Sequence, residues 1–371
     1  MLNKDVERAL DNAGWFHRAG SSVLVDGQFG STGKGLMADV LAKYSITTGN
    51  WPNIVTTNAG PNSGHCAEMD DGRRIMTQQV PVFSAVAAYS GNFGIETHLN
   101  GGAILDMAQV HKEMREFGVH LYVHKSAAII HPDLTRAFSS GSLDSIASTG
   151  KGVGQAMAAK VLRQPYTVGT IDERTRLRDE KGLNASYAGY FDGLCFYDRV
   201  PDYTGATVFV ETAQGFSLGI NSGFYPYTTS RECSVPQALA DAGLSHRSVR
   251  NVVMCVRTFP IRVGNTTMGN SGPGYEDQRE LTWDEVGQTP ELTSVTKRVR
   301  RVFSWSNLQF ADALRVNAPD TVFCNFCNYL KPEEVHPFVA NLKRVYEETL
   351  GYPLETLLLG FGPKASDVRA A

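Results

Sequence analysis

The sequence predicts an α/β fold: one large domain whose central sheet is mixed, mostly parallel, and flanked by helices. Short apolar runs of the kind that form buried strands recur along the 371 residues, and stretches with helical periodicity lie between them. That alternation is typical of a parallel or mixed sheet with helices on both faces. The chain shows no internal repeat, low-complexity tract or clear linker, so we expect a single domain over residues 1–371.

The predicted elements follow in order along the chain. Residues 2–16 have the pattern of a short amphipathic helix, which we interpret as an N-terminal helical extension within residues 1–20. The first strand covers residues 23–25 and the next helix residues 36–44, and a later helix over residues 105–117 ends at Gly118, a typical C-cap. Residues 258–279, rich in Gly, Pro and Asn, predict a long functional loop. Further strands are predicted at residues 54–57, 120–123, 207–210, 251–256 and 321–324.

Composition excludes several classes of protein. With 35 basic and 38 acidic residues the net charge is −3, so no overall field favours nucleic acid or a membrane surface. No apolar run approaches the ~18 residues of a membrane span, and no signal-peptide pattern occurs, so we expect a soluble cytoplasmic protein. The six cysteines do not form a disulfide framework. Cys324 and Cys327 make a CxxC without a second pair at zinc spacing, and we expect both to be buried thiols.

A glycine-rich loop between the first strand and its helix is the strongest local signal. Strand, glycine loop and helix together present backbone N–H groups and a helix N-terminus to phosphate oxygens, and Lys34 adds a positive charge. The loop is P-loop-like but not standard, because Gln28 and Gly35 stand where that pattern has a glycine and a hydroxyl. A bound metal must therefore find its ligands elsewhere. The structural alternative is that the glycines only relieve strain in a tight turn.

Motifs along the chain resemble those of the adenylosuccinate synthetase family, in the same order and over residues 22–363. The glycine loop GQFGSTGKG is followed by GPNSGH at residues 60–65, as in that family. STGKGVG at residues 148–154 is similar to its TTGRGIG, and ETAQG at residues 211–215 to its EGAQG. PYTTS and TKRVRR, at residues 226–230 and 296–301, resemble PYVTS and TGRRRR, and a Gly-Pro pair follows at residues 362–363.

The resemblance implies a reaction in two steps. In that family a nucleoside triphosphate phosphorylates the oxygen on purine carbon 6, and the amine of aspartate then displaces the phosphate. The logic is that phosphate leaves far more readily than a carbonyl-like oxygen, while the protein supplies positioning and charge neutralisation. The residues at the matching catalytic positions are Ser31, His65 and Gln214.

The same resemblance assigns the binding positions. Arg163 matches an arginine that the dimer partner lends to the nucleotide phosphate, so it implies a homodimer. Mg²⁺ is the implied cofactor, held by Ser31 and the Gly64 carbonyl. The triphosphate positions are Gly30, Ser31, Thr32, Gly33, Lys34, Gly35, Asn325 and Gly362. The purine monophosphate positions are Ser31, Asn62, Thr149, Arg163, Gln214, Thr229 and Val263. Those for L-aspartate are Thr296, Arg298 and Arg300, whose planar guanidinium groups suit carboxylates.

Two departures from the family pattern are informative. The family writes its loop GDEGKG, where Asp removes the proton from purine N1, whereas this chain has Ser31 and Thr32. A small neutral residue gives room to the guanine edge, with its N1 proton and 2-amino group, and the substitution resembles the phage 2-aminoadenylosuccinate synthase branch. In residues 323–327, FCNFC replaces an LTKLD-like stretch that reads guanine in GTP; Asn325 takes the place of the lysine and Cys327 that of the aspartate. Losing that carboxylate favours ATP or dATP as the phosphoryl donor.

The leading hypothesis is a ligase that joins L-aspartate to dGMP at purine C6 through a 6-phosphoryl intermediate, with hydrolysis of ATP or dATP. The product would be 2-amino-2'-deoxyadenylosuccinate, used for 2-aminoadenine in DNA, and a phage-encoded enzyme would work in the host cytoplasm. An adenylosuccinate synthetase acting on IMP is the alternative. A second alternative is a catalytically inactive nucleotide-binding protein. The sequence does not tell which group replaces the missing Asp, and Asp39 is not an obvious substitute.

Overall fold

The computed structural model describes residues 2–132, 134, 145–171, 188–267, 269–293 and 297–371. The strands of these residues are β1 (Gly20–Asp26), β2 (Ile54–Thr57), β3 (His65–Glu68), β4 (Arg74–Thr77), β5 (Glu96–Leu99), β6 (Ile104–Leu105), β7 (Leu121–His124), β8 (Ala128–Ile129), β9 (Cys195–Tyr197), β10 (Thr207–Glu211), β11 (Val249–Arg257), β12 (Ile261–Arg262), β13 (Glu280–Leu281), β14 (Arg301–Phe303), β15 (Thr321–Asn325), β16 (Thr356–Gly360) and β17 (Val368–Ala370). The helices are α1 (Lys4–Asn12), α2 (Lys34–Thr48), α3 (Val82–Tyr89), α4 (Met107–Phe117), α5 (Val153–Val161), α6 (Val235–Ala242), α7 (Trp283–Val286), α8 (Asn307–Asn317) and α9 (Pro332–Leu350).

The central sheet confirms the predicted fold class. Its strands in the described part of the chain lie in the order β17-β16-β15-β11-β1-β10-β2-β5-β7-β9. Neighbouring strands are parallel throughout, except that β17 runs antiparallel to β16 at one edge. Apolar side chains on the two faces form separate clusters: α1, α2 and α3 cover one, and α6, α8 and α9 the other. The sheet is therefore buried between helical layers, as parallel sheets require.

The predicted elements fall close to the observed ones. The strand at residues 54–57 is reproduced, and the first strand and first long helix extend beyond their predicted ends. The helix expected from residue 105 begins at Met107 because the Asp106 side chain caps it by accepting from the backbone N–H groups of Ala108 and Gln109. Gly118 closes that helix in the left-handed conformation, with φ 67°, which confirms the predicted C-cap.

The N-terminal segment is packed into the core. Its helix covers Lys4–Asn12, shorter than the predicted 2–16, and Asn3 caps it. Val6 and Leu10 are fully buried on one side of α1, and Trp15 follows them into the same apolar cluster. The Phe16 ring lies edge-on to Phe83 and Phe209, which belong to α3 and β10. The helix contributes apolar area to the main core, although nothing in its sequence indicated where it docks.

The two cysteines of the CxxC motif agree with the sequence expectation. Cys324 and Cys327 are buried free thiols, and the Cys327 Sγ–H donates to the Cys324 carbonyl, with 3.3 Å between sulfur and oxygen. Burial raises the pKa of the Cys233 thiol to about 12, so that cysteine also stays protonated. Among the described helices, none is long and apolar enough to cross a membrane.

Four adjacent strands of the sheet end in polar residues at one edge. In sheet order these are Asn325 on β15, Arg257 on β11, Asp26 on β1 and Glu211 on β10. All four side chains are buried. Because the strands are parallel, their carboxyl ends meet at the same edge, which is where open α/β sheets bind ligands. The functional site is built from this row and the loops that follow it.

Candidate active site

A cavity opens at the carboxyl ends of these strands. Its walls are the glycine loop, the loop before β3, Gln214 of the ETAQG motif at the end of β10, and residues around Arg300. The residues that the sequence predicted for the site and that line this cavity are Gly30, Ser31, Thr32, Gly33, Lys34, Gly35, Asn62, Gly64, His65, Thr149, Gln214, Val263 and Arg300.

Other predicted site residues lie away from the cavity wall. The Asn325 amide packs behind the phosphate loop, where a Cβ on Gly33 would collide with it. Gly362 lies against Asp367 in the turn after β16, again outside the wall. Three more described residues are not on the wall: Arg163, Thr229 and Arg298. Thr296 lies outside the described residues.

A buried carboxylate organises the glycine loop. Asp26 Oδ1 accepts from the backbone N–H groups of Gln28 and Gly30, at 2.9 and 3.2 Å. Its Oδ2 accepts from Thr32 Oγ1 at 2.6 Å and from Lys34 Nζ at 2.9 Å. The side chains of Asp26 and Lys34 are 0% and 4% exposed. This carboxylate therefore fixes the loop before any ligand binds, and it balances the lysine charge in a place where an unpaired charge would be costly.

The loop backbone adopts conformations that its glycines permit. Gly30 and Gly33 have φ of 87° and 97°, and α2 begins directly after Gly33. Ser31 between them has φ 57°, a left-handed conformation that costs a non-glycine residue energy. The Ser31 side chain is exposed, while the Thr32 hydroxyl turns inward to Asp26. Both residues that depart from GDEGKG line the cavity, but only Ser31 is exposed.

His65 is oriented by a buried glutamate. The Glu211 carboxylate accepts from the backbone N–H groups of Val82 and Phe83, at 3.1 and 3.2 Å, at the N-terminus of α3. It also lies 3.0 Å from His65 Nδ1. Since the carboxylate can only accept, Nδ1 carries a proton, and Nε2 is the ring nitrogen left for a ligand in the cavity. The helix N-terminus stabilises the negative charge that holds the ring in place.

Gln214 completes this part of the wall. Its backbone is left-handed, with φ 62°, and its carbonyl oxygen accepts from Lys34 Nζ at 2.5 Å. Its side-chain oxygen lies 3.4 Å from the Asn62 amide nitrogen. The neighbouring Ser63 hydroxyl donates to the Gly60 carbonyl at 2.7 Å, which fixes the turn of GPNSGH. Lysine, glutamine and asparagine from three loops are thus joined into one polar wall.

A second buried network holds the opposite wall. Arg257, at the end of β11, donates from Nη1 to the Ser31 carbonyl at 3.1 Å and from Nη2 to Glu291 Oε1 at 2.5 Å. Its guanidinium group stacks on the Phe326 ring, 3.8 Å from the centroid. Phe326 itself has φ 60° and lines the cavity. Arg257 therefore connects the phosphate loop, the segment after β15 and the segment that begins at Glu291.

Backbone hydrogen bonds pair residues 291–293 with residues 298–300. The Arg300 N–H donates to the Glu291 carbonyl at 2.8 Å, and the Thr293 N–H to the Arg298 carbonyl, also at 2.8 Å. Arg298 N–H returns a bond to Thr293 Oγ1 at 2.9 Å. Arg300, Thr293 and Glu291 line the cavity. The arginine that the sequence assigned to aspartate thus reaches the wall beside a carboxylate that it did not assign.

The comparison with known proteins decides the family. The family model described as adenylosuccinate synthetase matches residues 23–190 and 198–334 of this chain. The protein belongs to the adenylosuccinate synthetase family. The N6-succino-2-amino-2'-deoxyadenylate synthase of Salmonella phage PMBT28 is 37% identical to it in an alignment 368 residues long, which covers 94% of this chain and 96% of the relative. The synthase of the same name from Vibrio phage phiVC8 is 36% identical over 349 residues, 93% and 96% of the two chains.

A solved structure of a phage protein has the same fold. It is the succinoaminodeoxyadenylate synthetase of cyanophage S-2L, described as bound to dGMP and to dATP as an energy donor. It superimposes with a TM-score of 0.78 at 29% identity, over 95% of each chain. The family resemblance and the α/β fold predicted from the sequence are both confirmed.

The glycine loop of this member of the adenylosuccinate synthetase family carries no carboxylate of its own, and the Asp26 carboxylate lies beneath it. Four residues of the site were not predicted from the sequence: Asp26, Glu211, Arg257 and Glu291. The last three act through partners distant in the sequence, whereas the partners of Asp26 lie within eight residues of it. Only Asp26 carried a signal, since a charged residue directly after a buried apolar run and before a glycine loop needs a compensating group. Asp39 remains unsuited as a base because of its position: it is not on the cavity wall, and its carboxylate lies 3.0 Å from Lys43 Nζ.

Proposed function

We propose that this protein is a C–N-forming ligase that joins L-aspartate to carbon 6 of dGMP, at the expense of ATP or dATP. The observation that carries the proposal is Ser31, a small neutral residue facing the cavity where the family has its catalytic aspartate. It occurs in a chain whose phage relatives bear the name N6-succino-2-amino-2'-deoxyadenylate synthase. The product would be 2-amino-2'-deoxyadenylosuccinate, formed in the host cytoplasm for 2-aminoadenine DNA.

The wall supplies the parts that this reaction needs. Backbone N–H groups of the glycine loop, the N-terminus of α2 and Lys34 suit the phosphates of the triphosphate. His65 Nε2 and the Gln214 amide suit the purine 6-oxygen, which takes the γ-phosphoryl group and then leaves with it when the aspartate amine attacks carbon 6. In the protonated ring, Nε2 donates to that oxygen while Nδ1 stays on Glu211. A protein that only bound nucleotides would not need this arrangement.

Ser31 is the proposed determinant of the guanine edge. Its carbonyl is occupied by Arg257, so the hydroxyl is the group that it offers to a base. A hydroxyl accepts a hydrogen bond from a 2-amino group and leaves it room, whereas IMP lacks that amino group. For the phosphoryl donor, the Cys327 thiol is buried against the Cys324 carbonyl. It cannot make the paired bonds that a carboxylate makes with guanine, which favours ATP or dATP over GTP.

Magnesium is the proposed cofactor. The cavity wall offers neutral oxygen donors, the Ser31 hydroxyl and the Gly64 carbonyl. In the described residues no group of three or more His, Cys, Asp or Glu side chains could hold a metal by itself. Such a sparse set fits Mg²⁺, which keeps several waters and takes most other ligands from substrate phosphates. When bound, the ion neutralises charge on the phosphates during transfer.

A homodimer is the proposed assembly, with Arg163 reaching the dGMP phosphate of the other subunit. Arg163 follows α5, is exposed, and has φ 58°. The two residues before it, Val161 and Leu162, are 66% and 67% exposed. Adjacent exposed apolar side chains next to a cation suit an interface with a second copy, which would cover the apolar pair and place the charge in the neighbouring site.

Mixing two inactive variants tests the shared site. Arg163→Ala would lack the lent cation and His65→Ala the catalytic ring, so each alone should be nearly inactive. In a mixed dimer one site regains both groups, and refolding the two variants together at equal amounts should recover about a quarter of wild-type activity. Recovery would be measured from product formation. Absence of recovery in a sample shown to contain mixed dimers would contradict donation of Arg163 across the interface.

A mass-spectrometric assay tests the function itself. The purified protein would be incubated with Mg²⁺, L-aspartate and ATP, and with dGMP, GMP, IMP or dIMP in separate reactions. We expect an aspartate adduct on dGMP, formed with ATP or dATP and not with GTP. The Ser31→Asp variant in the same panel should lose most of its dGMP turnover. An adduct on IMP alone would instead indicate an ordinary adenylosuccinate synthetase, and no adduct with any nucleotide or donor would indicate a non-catalytic protein.

A further inference from the structure

The proposed substrate L-aspartate carries three charges, and the two arginines assigned to it can pair with only two of them. Arg298 and Arg300 suit its two carboxylates. Its α-ammonium group has no assigned partner, although this amine must be directed at carbon 6 of the purine. An ammonium group needs acceptors, and a carboxylate is the strongest acceptor a side chain offers.

Glu291 is the one carboxylate among the described residues that line the cavity. Asp26 and Glu211 lie behind the wall, and each already accepts from several buried donors. Glu291 sits at the start of the segment that carries Arg300, and its backbone carbonyl accepts from the Arg300 N–H. A negative and a positive side chain, Glu291 and Arg300, therefore lie on the same wall.

The hydrogen bonds of Glu291 leave it capacity for a ligand. Oε1 is occupied by Arg257 Nη2 at 2.5 Å and by the Tyr329 hydroxyl at 3.1 Å. Among the residues that the structure describes, Oε2 accepts only a long bond of 3.3 Å from Arg257 Nη1, and a carboxylate oxygen can accept two hydrogen bonds. The side chain is 24% exposed, whereas that of Arg257 is fully buried. The carboxylate is held rigidly on one side and open on the other.

Glu291 is also kept charged. Burial by itself would raise its pKa, but the charge and hydrogen bonds of Arg257, with a contribution from Arg300, hold the pKa below the usual value for a glutamate. The group is therefore an anion at neutral pH, as recognition of an ammonium ion requires.

We propose that the Glu291 carboxylate binds the α-ammonium group of L-aspartate and so selects an amino acid over a plain dicarboxylate. Arg257 acts as the positioning residue that fixes this carboxylate. The inference rests on the proposed function, since it concerns the second substrate of that reaction. Charges in the site would then match the ligand group by group: arginines for the two carboxylates and Glu291 for the ammonium.

The test compares L-aspartate with succinate, which has the same two carboxylates and no amine. In Glu291→Gln the KM for aspartate should rise by about 10- to 100-fold, the size of a lost charged hydrogen bond. The inhibition constant of succinate against aspartate should stay within about threefold, as should the KM values for dGMP and ATP. Glutamine retains an oxygen that can accept from Arg257, so the segment should keep its place. Glu348→Gln, which alters an exposed Arg–Glu pair on α9, is the matched control and should leave every constant unchanged.

Each contrary result has its own meaning. Equal weakening of aspartate and succinate would show that Glu291 only holds the turn, and would overturn the inference. A raised KM for dGMP with aspartate unaffected would assign Glu291 to the guanine edge and also overturn it. If the wild-type protein forms no adduct at all, the proposed function fails, and this inference fails with it. Product from the wild type with unchanged aspartate kinetics in Glu291→Gln would reject the inference alone.

Discussion

His65→Ala should lower turnover by about 10²- to 10⁴-fold, the usual contribution of a positioned proton donor. The ring lies on the cavity wall with Nε2 free for a ligand, because Glu211 holds Nδ1. Binding of dGMP and of the triphosphate should be largely kept, since the glycine loop and Gln214 do not depend on this ring for their hydrogen bonds. Single-turnover kinetics and equilibrium binding would separate the two effects. Full activity in the variant would remove His65 from the mechanism.

Glu211→Gln tests the His65–Glu211 pair without altering the His65 ring. One glutamine oxygen cannot replace both carboxylate oxygens. Placed at Oε1 it still accepts from Val82 and His65, but the amide N–H groups then face the Phe83 N–H; placed at Oε2 it turns them towards the ring nitrogen, which also carries a proton. Two donors facing each other would displace the ring or reverse its tautomer, and we expect turnover to fall by about 10- to 100-fold. A changed pH profile would distinguish loss of ring orientation from simple destabilisation. His336→Ala, on the exposed side of α9, is the matched control and should behave as wild type.

Asp26→Asn should destabilise the protein by about 3–5 kcal/mol, the range for breaking a buried ion pair by removing one partner's charge. Either orientation of the amide turns its NH₂ towards two groups that are themselves donors: Thr32 and Lys34, or the backbone N–H groups of Gln28 and Gly30. Urea unfolding would show the change as a lower midpoint at an unchanged slope. The KM for the triphosphate should rise as well, because the phosphate loop loses the group that shapes it.

Asp70→Asn provides the comparison for this carboxylate. Asp70 also pairs with a lysine, at 3.0 Å from Lys43 Nζ, but its side chain is 50% exposed and Lys43 keeps Asp39 as a second partner. We expect a loss of about 0–1 kcal/mol, as for other surface pairs. Equal effects of the two substitutions would contradict the view that burial gives Asp26 its importance.

Much of the fold could be predicted because its signals are local. The apolar runs that became β1, β2, β10 and β15, and the cap at Gly118, depend on neighbours in the sequence. β5 was missed, because the sequence Glu-Thr-His-Leu has little apolar periodicity and forms a strand only between β2 and β7. The two-residue strands β6 and β8 depend wholly on pairing with each other.

The residues of the site likewise divide into those marked by local sequence and those set by distant contacts. Residues in contiguous motifs, such as Lys34, His65 and Gln214, were found because glycine spacing and family resemblance mark them. The Arg257–Glu291 pair joins residues 34 positions apart, and Arg257 meets Ser31 across 226 positions. No pattern in the sequence indicates such contacts, since a lone arginine after a strand is usually a surface residue. The assignment of Asn325 to the triphosphate stays a prediction; in the structure its amide packs against Gly33 of the phosphate loop.

The bond from Arg257 to Ser31 is made to the main chain, and this bears on how substrate choice can change during evolution. A carbonyl oxygen is present whatever the side chain, so this hydrogen bond can form with any residue at position 31 whose backbone adopts a left-handed conformation. Aspartate and asparagine visit that conformation more readily than most residues. A single codon change could thus exchange the group that meets the purine while the loop keeps its shape. The residues at the strand ends would then keep the shape of the site, while the side chain at position 31 would determine which base edge it recognises.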